Sequence, residues 1–320
     1  MSLLLAFVLL LTAAPAAQER TPEWLFDHGH VGESRAVSAA RLAKDARDAV
    51  ALAWLARSHT LAGDAKTGVA SAELAIAANP AYAGGHLSLA EALGVEARKA
   101  SVFRQLPMAR RIRRALESAA TLEPTNVEAL SGLLRFYLEA PGIAGGSREK
   151  AADMAARIGA LDPARGFLAQ AEIAADRRQG DRIEGLYLKA LEANRNSVHA
   201  HAALADFYTA RPAQHAAAEM HAKALLALDA ALVAPYRVLA IVYARAARWN
   251  ELDAVLARSD RQHPSNLSAL YAAAQVLVST GADRPRAERY LRRYLAQPAE
   301  IGAPSHADAR RLLAPPRLSE

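Results

Sequence analysis

Ten histidines are the first place to look for chemistry in this chain. His28 and His30 stand two apart, as do His199 and His201, and on a helix that spacing turns the rings to different sides. Zinc-dependent hydrolysis would need an HExxH run, which puts two imidazoles one turn apart with a carboxylate beside them. Neither that run nor an i,i+4 histidine pair occurs. Serine chemistry would need a strained GxSxG elbow, which is also missing. The chain has no cysteine, so disulfides, thiolate nucleophiles, Cys-ligated zinc, iron–sulfur clusters and a cysteine-borne lipid anchor all fall away. One glycine-rich loop, residues 141–147, leads into a helix. It lacks the GxxxxGK[ST] spacing that cradles nucleotide phosphates, because Lys150 arrives on the helix itself. A helix N-terminus suits an anion, but the plainer expectation is a long connection with Ser147 as N-cap. No catalytic residue, metal ligand or cofactor is assigned.

Positive charge is the other chemical resource. Arg98, Lys99, Arg104, Arg110, Arg111, Arg113 and Arg114 crowd one stretch. In a helix, Arg110, Arg113 and Arg114 would share a face at i, i+3 and i+4. Such a stripe suits an acidic partner, lipid headgroups or nucleic acid, while the bland expectation is a solvated face. No aromatic residues interleave with the arginines of 104–114 as base-stacking platforms, which disfavours nucleic acid. The net charge of +6 and pI near 9.7 permit contacts with nucleic acid, acidic proteins or anionic membranes, although 33 Arg against 6 Lys also reads as genomic composition bias.

The elements that must position these groups are helices. Of 320 residues, 79 are alanine and β-branched residues are sparse. Alanine loses no side-chain entropy in a helix and lets helices approach closely, so an all-α fold is expected. The first residues are set apart as processing. Residues 3–12 are apolar and uncharged, and Ala13-Ala14-Pro15-Ala16-Ala17 follows, with the first charges at Glu19 and Arg20. This resembles a secretory signal peptide over 1–17, cleaved near Ala16 or Ala17, although no Lys or Arg precedes the apolar core. The stretch is short of the roughly 20 residues a membrane-spanning helix needs. The mature chain is therefore expected to be exported, periplasmic or secreted, with no transmembrane span.

The remainder repeats. Segments end alike at Pro80, Pro124, Pro163, Arg195, Asp229, Pro264 and Pro298, which lie 44, 39, 32, 34, 35 and 34 residues apart. A period near 34 matches two short helices with their turns, and proline stops the second helix by lacking an N–H. Within units, Leu55-Ala56, Leu89-Ala90, Leu204-Ala205 with Tyr208, and Leu239-Ala240 with Tyr243 recur on the leading helix. This alternation of large, small and aromatic residues resembles the tetratricopeptide repeat (TPR). The resemblance covers residues 35–298, about seven units with a half-unit at 35–45. It leaves 18–34 as a lead-in, 299–313 as a capping helix and 314–320 as a disordered tail. The second unit carries about ten extra residues around 99–107 and the third about five around 140–147, relative to the 34-residue repeat. The fourth unit's leading helix has an ambiguous register. That paired irregularity is similar to a subgroup of exported bacterial TPR proteins of unassigned function.

The resemblance implies an α-α superhelix whose concave groove is lined by the leading helices. Family groove positions, laid on this chain, select Arg57, Glu91, Arg135, His199, Asp206, Arg237, Arg245, Tyr271 and Gln275 as partner-binding candidates. Arg57 and Arg135 would hold a carboxylate or carbonyl, and Tyr271 would offer a flat apolar contact. The family's Lys/Asn carboxylate clamp is absent, which argues against a chaperone C-terminal tail as ligand. The implied function is binding without catalysis: an exported scaffold holding a protein or peptide partner in cell-envelope assembly or maintenance. Two alternatives stay open, an accessory subunit of an envelope polysaccharide or peptidoglycan enzyme and a cytoplasmic regulatory or nucleic-acid-binding repeat protein. Partner identity and oligomeric state are left unassigned.

Overall fold

The computed structural model describes residues 20–314. The leader expected over 1–17 and residues 315–320 of the expected tail lie outside the described residues. Among the described residues there is no strand; the chain is a succession of helical hairpins. Two lead-in helices come first, α1 (Pro22–Asp27) and α2 (Val31–Leu42). Seven antiparallel pairs follow: α3 (Ala49–Leu61) with α4 (Ala65–Ala78), α5 (Ala83–Lys99) with α6 (Val102–Leu122), α7 (Val127–Glu139) with α8 (Arg148–Leu161), and α9 (Pro163–Asp176) with α10 (Gly180–Ala193). Then come α11 (Val198–Thr209) with α12 (His215–Leu228), α13 (Ala234–Arg245) with α14 (Trp249–Gln262), α15 (Ser268–Thr280) with α16 (Arg284–Leu295), and a closing α17 (His306–Leu313). The expected superhelix of seven pairs with a C-terminal cap is what the chain forms.

Short polar side chains start these helices. Asp48, Asn126, Ser147, Asp162, Ser197 and Asp283 each accept a bond from a backbone N–H in the first turn, satisfying a donor that the helix itself leaves orphaned. Ser305 and Asp308 form a reciprocal capping box on α17. Alanine and glycine let the helices cross closely. Ala56, Ala75, Ala119, Ala190, Ala222 and Ala240 are fully buried, and Leu130, Leu134, Leu204, Leu225 and Leu252 fill the space between pairs. Two tyrosines at the repeated aromatic position brace each pair to the previous one: Tyr208 donates to Glu184 (2.7 Å) and Tyr243 to Glu219 (3.1 Å). Burial alone would raise the Glu219 carboxyl, yet Arg248, Lys223 and Tyr243 hold it down to about 2.

Three irregularities have physical reasons. The extra residues of the second unit enter both helices, so that α6 runs to 21 residues with Pro107 inside it and only two residues join it to α5. The third unit's insertion forms a 3-10 turn, Gly142–Ala144, ending at Gly145 with φ +102° and pinned by a bond from Ser147 N–H to Tyr137 O. Pro163 does not close a helix as the repeat spacing suggested. α8 ends at Leu161, Asp162 serves as C-cap of α8 and N-cap of α9, and Pro163 opens α9, where its missing N–H is no loss.

The lead-in helices tie the two ends of the array together. His28 Nε2 lies 2.7 Å from Asp229 Oδ2, Glu300 Oε1 accepts from Gly32 N–H at 2.7 Å, and Asn266 donates to Gly29 O at 2.7 Å. Buried His30 faces buried His263, Nε2 to Nδ1, at 3.0 Å. Only one proton fits between those nitrogens. Because His30 Nδ1 lies 3.5 Å from Glu33 Oε1, the proton arrangement that suits the site has His263 Nδ1–H donating to His30 Nε2. At the other end, α17 covers the last pair: Ala309 is buried, Tyr294 donates to Pro304 O (2.5 Å), and Arg284 donates to Leu313 O (2.8 Å).

Candidate groove site

The inner wall is built by the leading helices of successive pairs, and its polar side chains meet one another from pair to pair. Arg57 on α3 donates twice to Glu91 on α5 (both 3.0 Å) and once to Glu128 on α7 (2.6 Å). Its guanidinium lies between the rings of Trp54 (4.6 Å) and Phe26 (5.1 Å). Burial pushes the Glu91 carboxyl up, and Arg57 pulls it back toward the ionised form. Arg57 is therefore a clamp across three leading helices, not the free hook for a ligand carboxylate that the sequence suggested, because its donors already face two carboxylates.

The ladder continues along the wall. Arg135 on α7 lies 3.4 Å from Glu172 on α9, Arg165 on α9 lies 3.2 Å from His199 Nε2 on α11, and Asp206 on α11 accepts from Arg237 on α13 (2.9 Å). Arg245 and Gln275 are exposed with no side-chain partner among the described residues. Tyr271 does not reach the groove. It is buried against Tyr294 of α16, ring centroids 5.2 Å apart, on the side of α15 that Asp308 and Arg311 of the closing helix α17 approach. On the outer face, Arg110 and Arg114 are exposed, whereas Arg113 leaves their face: it turns under the 142–144 connection beside Gly145 and lies 3.7 Å from Glu117.

Among the described residues, two concavities mark the wall. One, of about 240 Å³, is bounded by Trp54, Arg57, Tyr82 and Leu87 with Glu23, Glu123 and Glu128 at its rim, so lead-in helix α1 forms one of its sides. The other, of about 250 Å³, has an apolar floor of Leu134, Leu168 and Tyr187 and polar walls of Arg135, Arg165, Glu172 and His199. Desolvation and the nearby Arg165 charge hold the His199 ring below its ordinary range, so it stays neutral and accepts from Arg165. Burial raises Glu172 while Arg135 and Arg165 counter it. Two guanidiniums against one carboxylate leave this second concavity with positive charge to spare.

Arg165 and Glu172 were missed by the sequence reading for one reason. They stand 34 residues before His199 and Asp206, and the misplaced role of Pro163 obscured the register of α9. Tyr187 comes from a second helix, α10, and no periodic signal points to it. Among the described residues, no group of three or more His, Cys, Asp or Glu could hold a metal ion, and no helix is long and apolar enough to cross a membrane.

No family model matches the chain, and no curated protein matches it. Solved structures do. Yeast Tom70 aligns over 91% of this chain and 59% of its own length, with a TM-score of 0.58 at 14% identity. A thermophilic TPR protein of Thermus thermophilus aligns over 64% of this chain and 95% of its own (TM-score 0.49, 22% identity). A tetratricopeptide repeat protein from Parabacteroides merdae aligns over 83% and 97% (TM-score 0.42, 15% identity). The chain thus spans 59% of Tom70, and the likeness is one of fold.

Proposed function

Because this chain has the fold of a tetratricopeptide-type solenoid, we propose that it is a non-catalytic, exported scaffold that holds a protein or peptide partner in its groove, in cell-envelope assembly or maintenance. Such arrays present extended concave surfaces without having to order themselves on binding. The observation that carries the reading is the second concavity: Arg135 and Arg165 beside an apolar floor suit an acidic side chain of the partner with an apolar neighbour. Arg57 and Glu91, being committed to one another, set the curvature of the wall and leave recognition to that site. The apolar stretch at residues 3–12 followed by small residues supports export.

Crosslinking pull-down of the full chain from envelope extract tests the binding reading. A specific partner should be captured by the wild type, and the pair Arg135→Ala and Arg165→Ala should each weaken it about tenfold or more. Equal capture by both variants would move the binding site elsewhere. Mass spectrometry of the N-terminus in cell fractions tests export: a chain beginning near residue 17 or 18 outside the cytoplasm is expected, and an intact Met1 in the cytoplasm would favour the regulatory alternative.

A further inference from the structure

The outer face of α6 carries a surface that the groove does not use. α6 has 21 residues where α4, α8, α10, α12 and α14 have 14, and its extra first turns lie beside the lengthened end of α5. Phe103 stands in those turns, 94% exposed. At 100° per residue Phe103, Arg110 and Arg114, spaced i, i+7 and i+11, fall within about 40° of one another, and the stripe is about 16 Å long. All three are exposed, as is Arg104. Between Glu96 and Glu117 the sequence has no acidic residue. Arg111 is neutralised by Glu73 at 2.6 Å, but Arg104, Arg110 and Arg114 have no ion pair among the described residues.

We propose that this face docks on an anionic lipid bilayer, with Phe103 entering the headgroup layer and Arg104, Arg110 and Arg114 lying over lipid phosphates. The pattern is that of an interfacial helix: an aromatic anchor with unpaired Arg110 and Arg114 on one exposed stripe and Arg104 at its flank, about 100° round the helix from Phe103, which an anionic surface attracts and a neutral one does not. The stripe lies on a trailing helix and lines neither of the two concavities of the wall, which separates it from the groove. Nucleic acid would call for aromatic platforms along the stripe, and Phe103 alone is present. This docking is independent of what the groove holds.

Co-sedimentation of the full chain with vesicles tests it. Binding is expected to phosphatidylcholine vesicles containing phosphatidylglycerol, not to phosphatidylcholine alone, and it should fall away in half-molar sodium chloride. Each arginine should contribute about fivefold, so R104Q/R110Q/R114Q should lose roughly 100-fold. Phe103→Ser should lose roughly tenfold, and Arg195→Gln, in the turn after α10, should change nothing. These side chains are exposed, so far-UV circular dichroism and the melting curve should match the wild type, and any variant that fails this check is replaced by its alanine counterpart. No binding to the anionic vesicles would overturn the proposal. So would undiminished binding by the triple variant, or tighter binding to duplex DNA that Phe103→Ser leaves unchanged.

Discussion

The crossing of α8 and α9 offers a test in which two neighbouring glycines should respond with opposite sign. Gly159 on α8 and Gly166 on α9 face each other across it. A Cβ added at Gly166 would come within 2.4 Å of Gly159 Cα and 3.0 Å of its nitrogen, whereas a Cβ added at Gly159 would find its nearest neighbour, Gly166 Cα, at 3.6 Å. Carbon atoms rest about 3.5–4.0 Å apart, so Gly166→Ala must push the two backbones apart by about 1 Å. Backbone cannot rotate out of the way as a side chain would, and the single residue Asp162 joining the helices limits how far they open. Overpacking of this kind costs roughly 1–3 kcal/mol. Gly159 lies in the last turn of α8 and Gly166 in the first turn of α9, so replacing either by alanine returns at most about 1 kcal/mol of propensity. That gain cancels between the variants, so Gly159→Ala should be more stable than Gly166→Ala by roughly 1–3 kcal/mol. Urea unfolding followed by circular dichroism gives the difference. Hydrogen exchange of the α8 and α9 amides checks that it is local, since repeat arrays can open in parts. Equal stabilities, or a more stable Gly166→Ala, would refute the close approach of backbones as the reason for these glycines.

Other outcomes follow from the same geometry. Ala240 is fully buried in α13, so Ala240→Trp should destabilise the array by about 2–3 kcal/mol, and a melting curve equal to wild type would contradict its place at a helix crossing. Arg57→Met should cost roughly 1–2 kcal/mol by leaving Glu91 and Glu128 facing each other, and adding Glu91→Gln should recover part of it, as urea titrations of the single and double variants would show. Burial pushes His221 and His263 down to about 4, with a neighbouring histidine adding to each shift. A depressed histidine contributes stability that is present above its unfolded value of about 6.5 and is lost as pH falls toward 4, up to about 3 kcal/mol per group. Melting temperature should therefore fall between pH 7 and pH 5, and His263→Phe should flatten that dependence. An unchanged slope would place the titration elsewhere.

What the sequence by itself determined is local and periodic. Alanine content, the spacing of Leu-Ala pairs and the short capping residues act over one or two helical turns, and each hairpin repeats them, so the all-α array, its seven pairs and its closing helix were legible without coordinates. The tertiary structure decided which side chains meet. Arg57 had the right position for the groove, but only the rotation between successive hairpins brings Glu91 and Glu128 onto it. The same holds, at longer range, for His28 on Asp229 and His30 on His263, whose partners lie 201 and 233 residues away. A small rotation per repeat sums over the whole array before those groups come within bonding distance, and a sum of that kind leaves no trace in the spacing of any one unit.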